Sequence, residues 1–590
     1  MSEAPEADFA PTSQPPVFNR ARALANSGRQ LWNGIAQFFA RVAASRFGDV
    51  FSVDLRSLAL FRIFLGFLII ADLAGRVPNF RAHFTEEGIL PRELLISSMS
   101  EWRWSLFLIN GSLQFQVALF IATWIAAICI IVGYRTRLML VVAWVLIMSL
   151  QVRNPLVLSG ADTLLRLTMF WSMLLPLGAK WSIDSRRSEA PKGLSTRFVS
   201  FASAGLIIQI AIMYLFTVML KDGPSWRGDG TALYYATGAG QITKPFGAYL
   251  HQFPNLLKVF THIGFAIEIV APWLILLPFR RGLFRIIGIG AIVSLHVGIW
   301  LIMDVALFPW TSALVMFAFL PASFWSVVEV QFSRLLSWIE QRAAKPRDRR
   351  VMPGLPSLSP AVSGHQTQDF AALEPNKQRP SLAVIRRLTA AIRPTGDKPD
   401  GKTAAGKAAS RPVRSGWLLN AFAAFCIVFI VAWNIPSVTA FTMPRSTLPV
   451  AYSLGLYQKW NMFAPNPPNA TVWYVVRGYV AGGEAVDLVT PFVYDDIGKA
   501  VAFTWDQPDN IVNGYYKDKY WRKYFSAIST DSYADERKEF ARFACRNWNA
   551  YYGGDARLET LQVIMIKKPT KLDGSTGQEQ RKLIAQYTCA

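Results

Sequence analysis

Nine ionisable residues stand inside long apolar runs or at their ends: Arg62, Asp72, Asp162, Arg166, Lys221, His262, Glu268, His296 and Asp304. Placing such a group at membrane depth costs about 2.5–3.5 kcal/mol on insertion scales, so each needs a partner or a purpose. Lys221 has the most suggestive setting, within MYLFTVMLKDGPSWRGDGTALYY (Met213 to Tyr235). There an apolar run ends on the lysine and opens into a loop holding Gly223, Trp226, Gly228, Gly230, Tyr234 and Tyr235. An ammonium at that depth either snorkels to the interface or is desolvated into a neutral amine that can act as a base. Both readings are open. The glycines permit sharp turns and close backbone approach; Trp226 and Tyr235 suit either the lining of a ligand site or an interfacial aromatic belt. The loop is not a phosphate loop, because GxxxxGK[ST] is absent and no Rossmann strand precedes it.

His262 and Glu268 share one apolar run and His296 lies on the next, two imidazoles and a carboxylate of the kind that bind metal. No HExxH-type spacing puts two of them on one helix face, so no metal is expected and buried inter-helix hydrogen bonding is the plainer role. Arg62 and Asp72 are ten positions apart, about 15 Å along a helix, so each is expected to find its partner on another helix.

The elements that must hold these groups follow from composition. Of 590 residues, 52% are hydrophobic and only 17% charged, far more apolar than a soluble chain of this size. The expected fold is an all-α polytopic membrane bundle of about nine transmembrane helices with a small C-terminal α+β domain outside the membrane. The spans are read at Ser57–Ala74, Leu113–Gly133, Leu138–Val152, Thr163–Gly178, Phe198–Leu220, Leu256–Pro278, Leu283–Met303, Leu307–Val328 and Trp417–Ile435. Residues 1–53 are an acidic start followed by a basic amphipathic interfacial helix, and no cleavable signal peptide is evident. Residues 54–330 form the main bundle, 331–415 a basic linker without a packed core, 416–436 the ninth span and 437–590 the C-terminal domain. In that last part, Thr471–Tyr479 and Ala485–Tyr494 predict a β-hairpin, Asp535–Asn549 a helix and Glu559–Ile566 a further strand.

The net charge of +22 sits in loops between spans, which argues for topology rather than nucleic-acid binding. Alternate loops are basic, at Arg135 and Arg137, at Lys180 to Arg197 and at Arg280 to Arg285. That bias places the N-terminus in the cytoplasm, and the lysine loop, Asn154 and the C-terminal domain on the far side. Cys129 and Cys426 lie in spans; Cys545 and Cys589 can pair if their domain faces an oxidising compartment.

Several motifs, in order, resemble one family: DLRSLALFRIFLGFLIIADL with HFTEEGILPRELL, GYRTR, RNPLVLSGADTLL, LPLGAKWSID, LKDGPSWRGDGTALYY and YQKWNMFAPNPP. They resemble the HTTM (horizontally transferred transmembrane) domain, the membrane module related to vitamin K-dependent γ-glutamyl carboxylase. The likeness covers about Asp54 to Phe324 and resumes from Tyr457 to Tyr479. By resemblance, Lys221, five residues before Trp226, matches the lysine base that activates reduced vitamin K, and His296 holds a helix position like that of a family histidine. The resemblance thus implies a reduced quinone or other lipid-soluble substrate, with Trp226, Tyr235, Asn154, Asp162, His262 and Glu268 as candidate contacts. The family's essential histidine after an asparagine is here Pro155, which cannot transfer a proton, so carboxylation itself is not carried over. Two functions follow as expectations: a quinol-linked membrane enzyme with Lys221 as base, or a non-catalytic module that scaffolds an exported protein or assists its maturation. In the second, Lys221 is an anchor.

Overall fold

In the computed structural model, residues 47–187, 196–277, 281–344, 413–414, 416–494, 496–498, 501–516 and 519–589 are described. The expected interfacial helix of residues 20–47, apart from Phe47, and most of the basic linker lie outside them. The chain divides into two compact units, residues 1–329 with 411–590, and residues 330–410. Everything below concerns the first.

The long helices are α1 (Leu55–Arg76), α2 (Leu113–Val132), α3 (Thr136–Arg153), α4 (Gly160–Met173), α5 (Phe201–Leu220), α6 (Pro254–Leu276), α7 (Arg281–Ile302), α8 (Phe308–Val315), α9 (Ala322–Ala344) and α10 (Trp417–Asn434). Their boundaries have local causes. The Asp54 carboxylate caps α1 by accepting from the Arg56 amide at 2.8 Å, and Ser200 and Ser203 form a capping box at the start of α5. Gly133, at φ +72°, ends α2 in the left-handed conformation, and a Cβ there would also strike the Arg62 guanidinium.

Among the described residues, seven helices are long and apolar enough to cross a membrane, or eight if the pair α8 and α9, bent by 88°, counts as one span. The expected span missing from these is Thr163–Gly178. It forms only the 14-residue α4, about 21 Å long, because Pro176 excludes the preceding residues from helical geometry. Almost every α4 residue from Ala161 to Ser172 is buried, so its apolarity comes from a protein core rather than from lipid contact. The 88° bend falls at Leu320-Pro321, where proline again removes a helical donor.

Buried charges find partners within the bundle, although Arg62 Nε and Nη1 have none among the described residues. Arg62 donates to the Trp181 carbonyl at 2.7 Å. Asp72, expected to pair with another helix, instead binds Arg76 one turn along α1 at 2.9 Å; Asp162 of α4 joins the same guanidinium at 2.5 Å. The i,i+4 spacing makes that local pair available on one helix face.

A three-stranded sheet, β1 (Val53–Asp54), β2 (Arg197–Val199) and β3 (Val413–Arg414), links the segments that lead into α1, α5 and α10. The C-terminal domain is a five-stranded antiparallel sheet in the order β6-β5-β4-β7-β8, from β4 (Ala470–Val480), β5 (Ala485–Asp487), β6 (Val501–Ala502), β7 (Leu558–Pro569) and β8 (Gln580–Thr588). It carries helices α11 (Lys519–Ile528) and α12 (Ala534–Tyr551). The expected second hairpin strand stops at Asp487, whose carboxylate accepts from the Val489 and Thr490 amides, both at 3.0 Å, and starts the helix Val489–Tyr494. Cys545 of α12 is disulfide-bonded to Cys589, just past β8, with a Cα–Cα distance of 5.6 Å.

Candidate functional site

Helix α5 ends at Lys221, and Pro224 opens a four-residue helix to Arg227 that brings Trp226 back under the lysine. Lys221 is 4% exposed. Its Nζ donates to Glu268 Oε1 and Oε2 of α6 at 2.8 and 2.6 Å and lies 4.1 Å from the Trp226 ring centroid. All three interactions are those of an ammonium.

The proline-rich segment Lys459–Pro468 covers this loop. Trp226 Nε1 donates to the Phe463 carbonyl at 2.9 Å, the Gly223 amide to Pro465 at 3.2 Å, and Ser225 Oγ to Asn466 Oδ1 at 2.6 Å. Gly223 is required by that close approach, since a Cβ would fall 2.1 Å from Asn466. Upstream, Arg166 of α4 fixes the same strap, donating to the carbonyls of Gly455 and Tyr457 at 2.9 and 2.8 Å, with its guanidinium 3.9 Å from the Tyr457 ring centroid.

Between α5, α6, α7, the strap and the C-terminal domain lies a cavity of about 1030 Å³. Lys221, Trp226, Glu268 and His296 line it. The His296 Nε2 and Tyr214 hydroxyl are 2.6 Å apart, and among the described residues His296 Nδ1 has no hydrogen-bond partner.

The other sequence-selected residues are elsewhere. Asn154 donates from Nδ2 to the His83 carbonyl at 3.0 Å and caps the turn at Pro155 by accepting from the Leu156 amide. Asp162 is committed to Arg76 and to Ser159, whose amide and hydroxyl donate to it at 2.7 and 2.8 Å, although its neighbours Ser159, Gly160 and Thr163 reach the cavity wall. His262 is exposed beside Gly230, and Tyr235 packs edge-on against Tyr234; neither lines the cavity. Among the described residues no group of three His, Cys, Asp or Glu side chains is placed to hold a metal.

Sequence reasoning did not select the cations of the opposite wall. Lys459 of the strap and Lys519, Arg522 and Lys523 of α11 line the same cavity. Arg522 bonds the carbonyls of Gln241 and Asp304 and contacts the Asp304 carboxylate at 3.3 Å, tying α11 to the membrane bundle. Lys523 is exposed, and the surface it exposes is cavity wall, where the surrounding protein still shields it from bulk water. Burial, reinforced by the charges of Arg522 and Lys519, lowers its amine below the usual lysine range. The available signal was the basic, aromatic run KDKYWRKYF, whose helical period places Lys519, Arg522 and Lys523 on one face.

Residues 51–325 match the family model of the HTTM domain. The chain is also similar to lipase maturation factor 2 of Xenopus laevis, at 33% identity over 159 residues. That similarity covers 25% of this chain and 20% of the relative, so about a fifth of the relative's length is matched. No solved structure matches the chain significantly.

Proposed function

We propose that this multi-pass membrane protein, whose residues 51–325 are an HTTM domain, assists the maturation of an exported protein partner. The observation that carries the reading is the similarity to a lipase maturation factor. The geometry supports it: the C-terminal domain is held against the bundle by the strap and by Arg522, an arrangement suited to presenting a folded platform at the membrane. The Lys221 ammonium, held by a bidentate carboxylate and an aromatic face, serves here as an internal tie rather than a base.

The test is a deletion strain scored for the amount and activity of its exported proteins, then complemented. Complementation by wild type and by Lys221→Met/Glu268→Leu, with failure on removal of residues 457–590, is the expected pattern. An unchanged exported proteome in the deletion strain refutes the proposal.

A second reading is favoured by one specific observation. Lys221, Glu268, His296 and Tyr214 line one cavity, as a quinol-linked enzyme with Lys221 as base requires. In that enzyme Glu268 must first take the lysine proton. A conservative Glu268→Gln change then abolishes quinol-dependent turnover by purified protein; no turnover by wild type removes this reading.

A further inference from the structure

The cavity wall joins two kinds of chemistry. Helices α6 and α7 supply apolar side chains, among them Leu257, Ile263, Leu295 and Ile299. The same wall carries five cations, Lys221, Lys459, Lys519, Arg522 and Lys523, against two carboxylates, Glu268 and Asp304, and three of the cations come from α11 of the C-terminal domain. Both carboxylates are already used, Glu268 by Lys221 and Asp304 by Arg522. Lys459, Lys519 and Lys523 form no ion pair among the described residues; Lys459 and Lys523 are exposed, and the charge of Asp162, itself committed to Arg76, reaches Lys519 and Lys523, so this wall carries a net positive charge.

The cavity also has a side opening. Phe246, Ile263 and Leu301 line it and are nonetheless 48%, 49% and 43% exposed. They belong to or adjoin α6 and α7, helices long and apolar enough to span. Next to this opening Tyr249 and Phe253 are exposed as well, and Lys244 reaches the Trp300 carbonyl at 2.6 Å. Exposed aromatics with a snorkelling lysine mark the membrane–water interface. That pattern is the one expected where an opening faces lipid, with the unpaired cations on its headgroup side.

We propose that the cavity takes an anionic amphiphile from the surrounding bilayer, its tail between α6 and α7 and its phosphate or carboxylate head on Lys459, Lys519 and Lys523. An anionic head is attracted by three ammonium groups that form no ion pair, whereas a neutral quinone head lacks that charge attraction. The lowered amine of Lys523 fits a site whose charge is balanced only when occupied. This inference stands apart from the maturation reading: a strain with an unchanged exported proteome would end that reading and leave this one intact.

The test uses the full chain in nanodiscs with phosphatidic acid and phosphatidylcholine of identical acyl chains, each carrying a tail fluorophore. Wild type is expected to retain phosphatidic acid at least about ten-fold more tightly, the worth of one or two charge-assisted hydrogen bonds. Lys519→Gln/Lys523→Gln abolishes that preference while its thermal midpoint stays at or above wild type. Ile263→Trp, at the side opening, weakens both lipids. Millimolar inorganic phosphate leaves the bound lipid in place. Equal retention of the two lipids, an unchanged preference in the double variant, full displacement by inorganic phosphate, or equally tight retention of a neutral quinone would each overturn the proposal.

Discussion

Replacing Glu268 by Gln removes one charge and almost no volume, so it isolates the electrostatics of the Lys221 site. The two side chains are 4% and 12% exposed, and both carboxylate oxygens lie within 2.8 Å of the ammonium. Breaking a buried pair by neutralising one partner costs about 3–5 kcal/mol, because the remaining charge is left without compensation. The Trp226 face, 4.1 Å away, holds the ammonium in both proteins and so does not offset that cost. The expected loss is therefore about 3–5 kcal/mol. Removing both charges together, as in Lys221→Met/Glu268→Leu, is expected to return stability to within about 1 kcal/mol of wild type, since a buried pair seldom outperforms well-packed apolar groups. Thermal melts of the detergent-solubilised protein, followed by loss of the monodisperse species, supply the readout. A Glu268→Gln melt that matches wild type, or a double variant no better than either single change, refutes the argument that this pair ties α5 to α6.

Three further outcomes follow from other parts of the molecule. Arg166→Lys cannot reproduce a guanidinium fork serving Gly455, Gln151 and Tyr457, and should cost roughly 2 kcal/mol or more and speed proteolysis within residues 448–463; unchanged cleavage counts against the strap's anchoring. Cys589→Ser opens a loop of 44 residues, worth about 4 kcal/mol on chain-entropy grounds, and should lower the denaturant midpoint of the C-terminal domain; an equal midpoint refutes that contribution. His251 stacks on Tyr234 with ring centroids 4.3 Å apart, and burial holds its pKa below the ordinary 6.5. The unfolded chain then takes up the proton first, so this contribution is complete above about pH 6.5 and declines as pH falls from there toward the folded-state value. His251→Gln should flatten that part of the stability–pH curve, and an unaltered slope would remove His251 as its source.

Much of this protein could be read from local pattern alone. Runs such as Phe201–Leu220 are apolar over more residues than a soluble core requires, so their membrane setting follows from length and hydropathy. Lys221 and Trp226, five positions apart, mark their loop by residue type, and the hairpin at Ala481–Glu484 is legible from alternation and turn chemistry. The segment Thr163–Gly178 shows where this reasoning stops. Its leucine-rich run suits lipid or a protein core equally, and only packing revealed that α4, with Asp162 and Arg166 bonded inside, is enclosed by its neighbours.

Tertiary structure alone supplied the partners of Lys221. Its counter-ion lies 47 residues away on another helix, and the carbonyl that fixes Trp226 lies 237 residues away on the strap. Tyr235, His262, Asn154 and Asp162 have residue types as suitable as Glu268, yet none of them lines the cavity. The lysines of its opposite wall come from α11 and the strap, beyond the bundle that supplied the first candidates. Hydrophobic length and turn chemistry are properties of neighbouring residues and survive in sequence; ion pairing between helices and shared cavities depend on relative helix positions, which no spacing along the chain encodes.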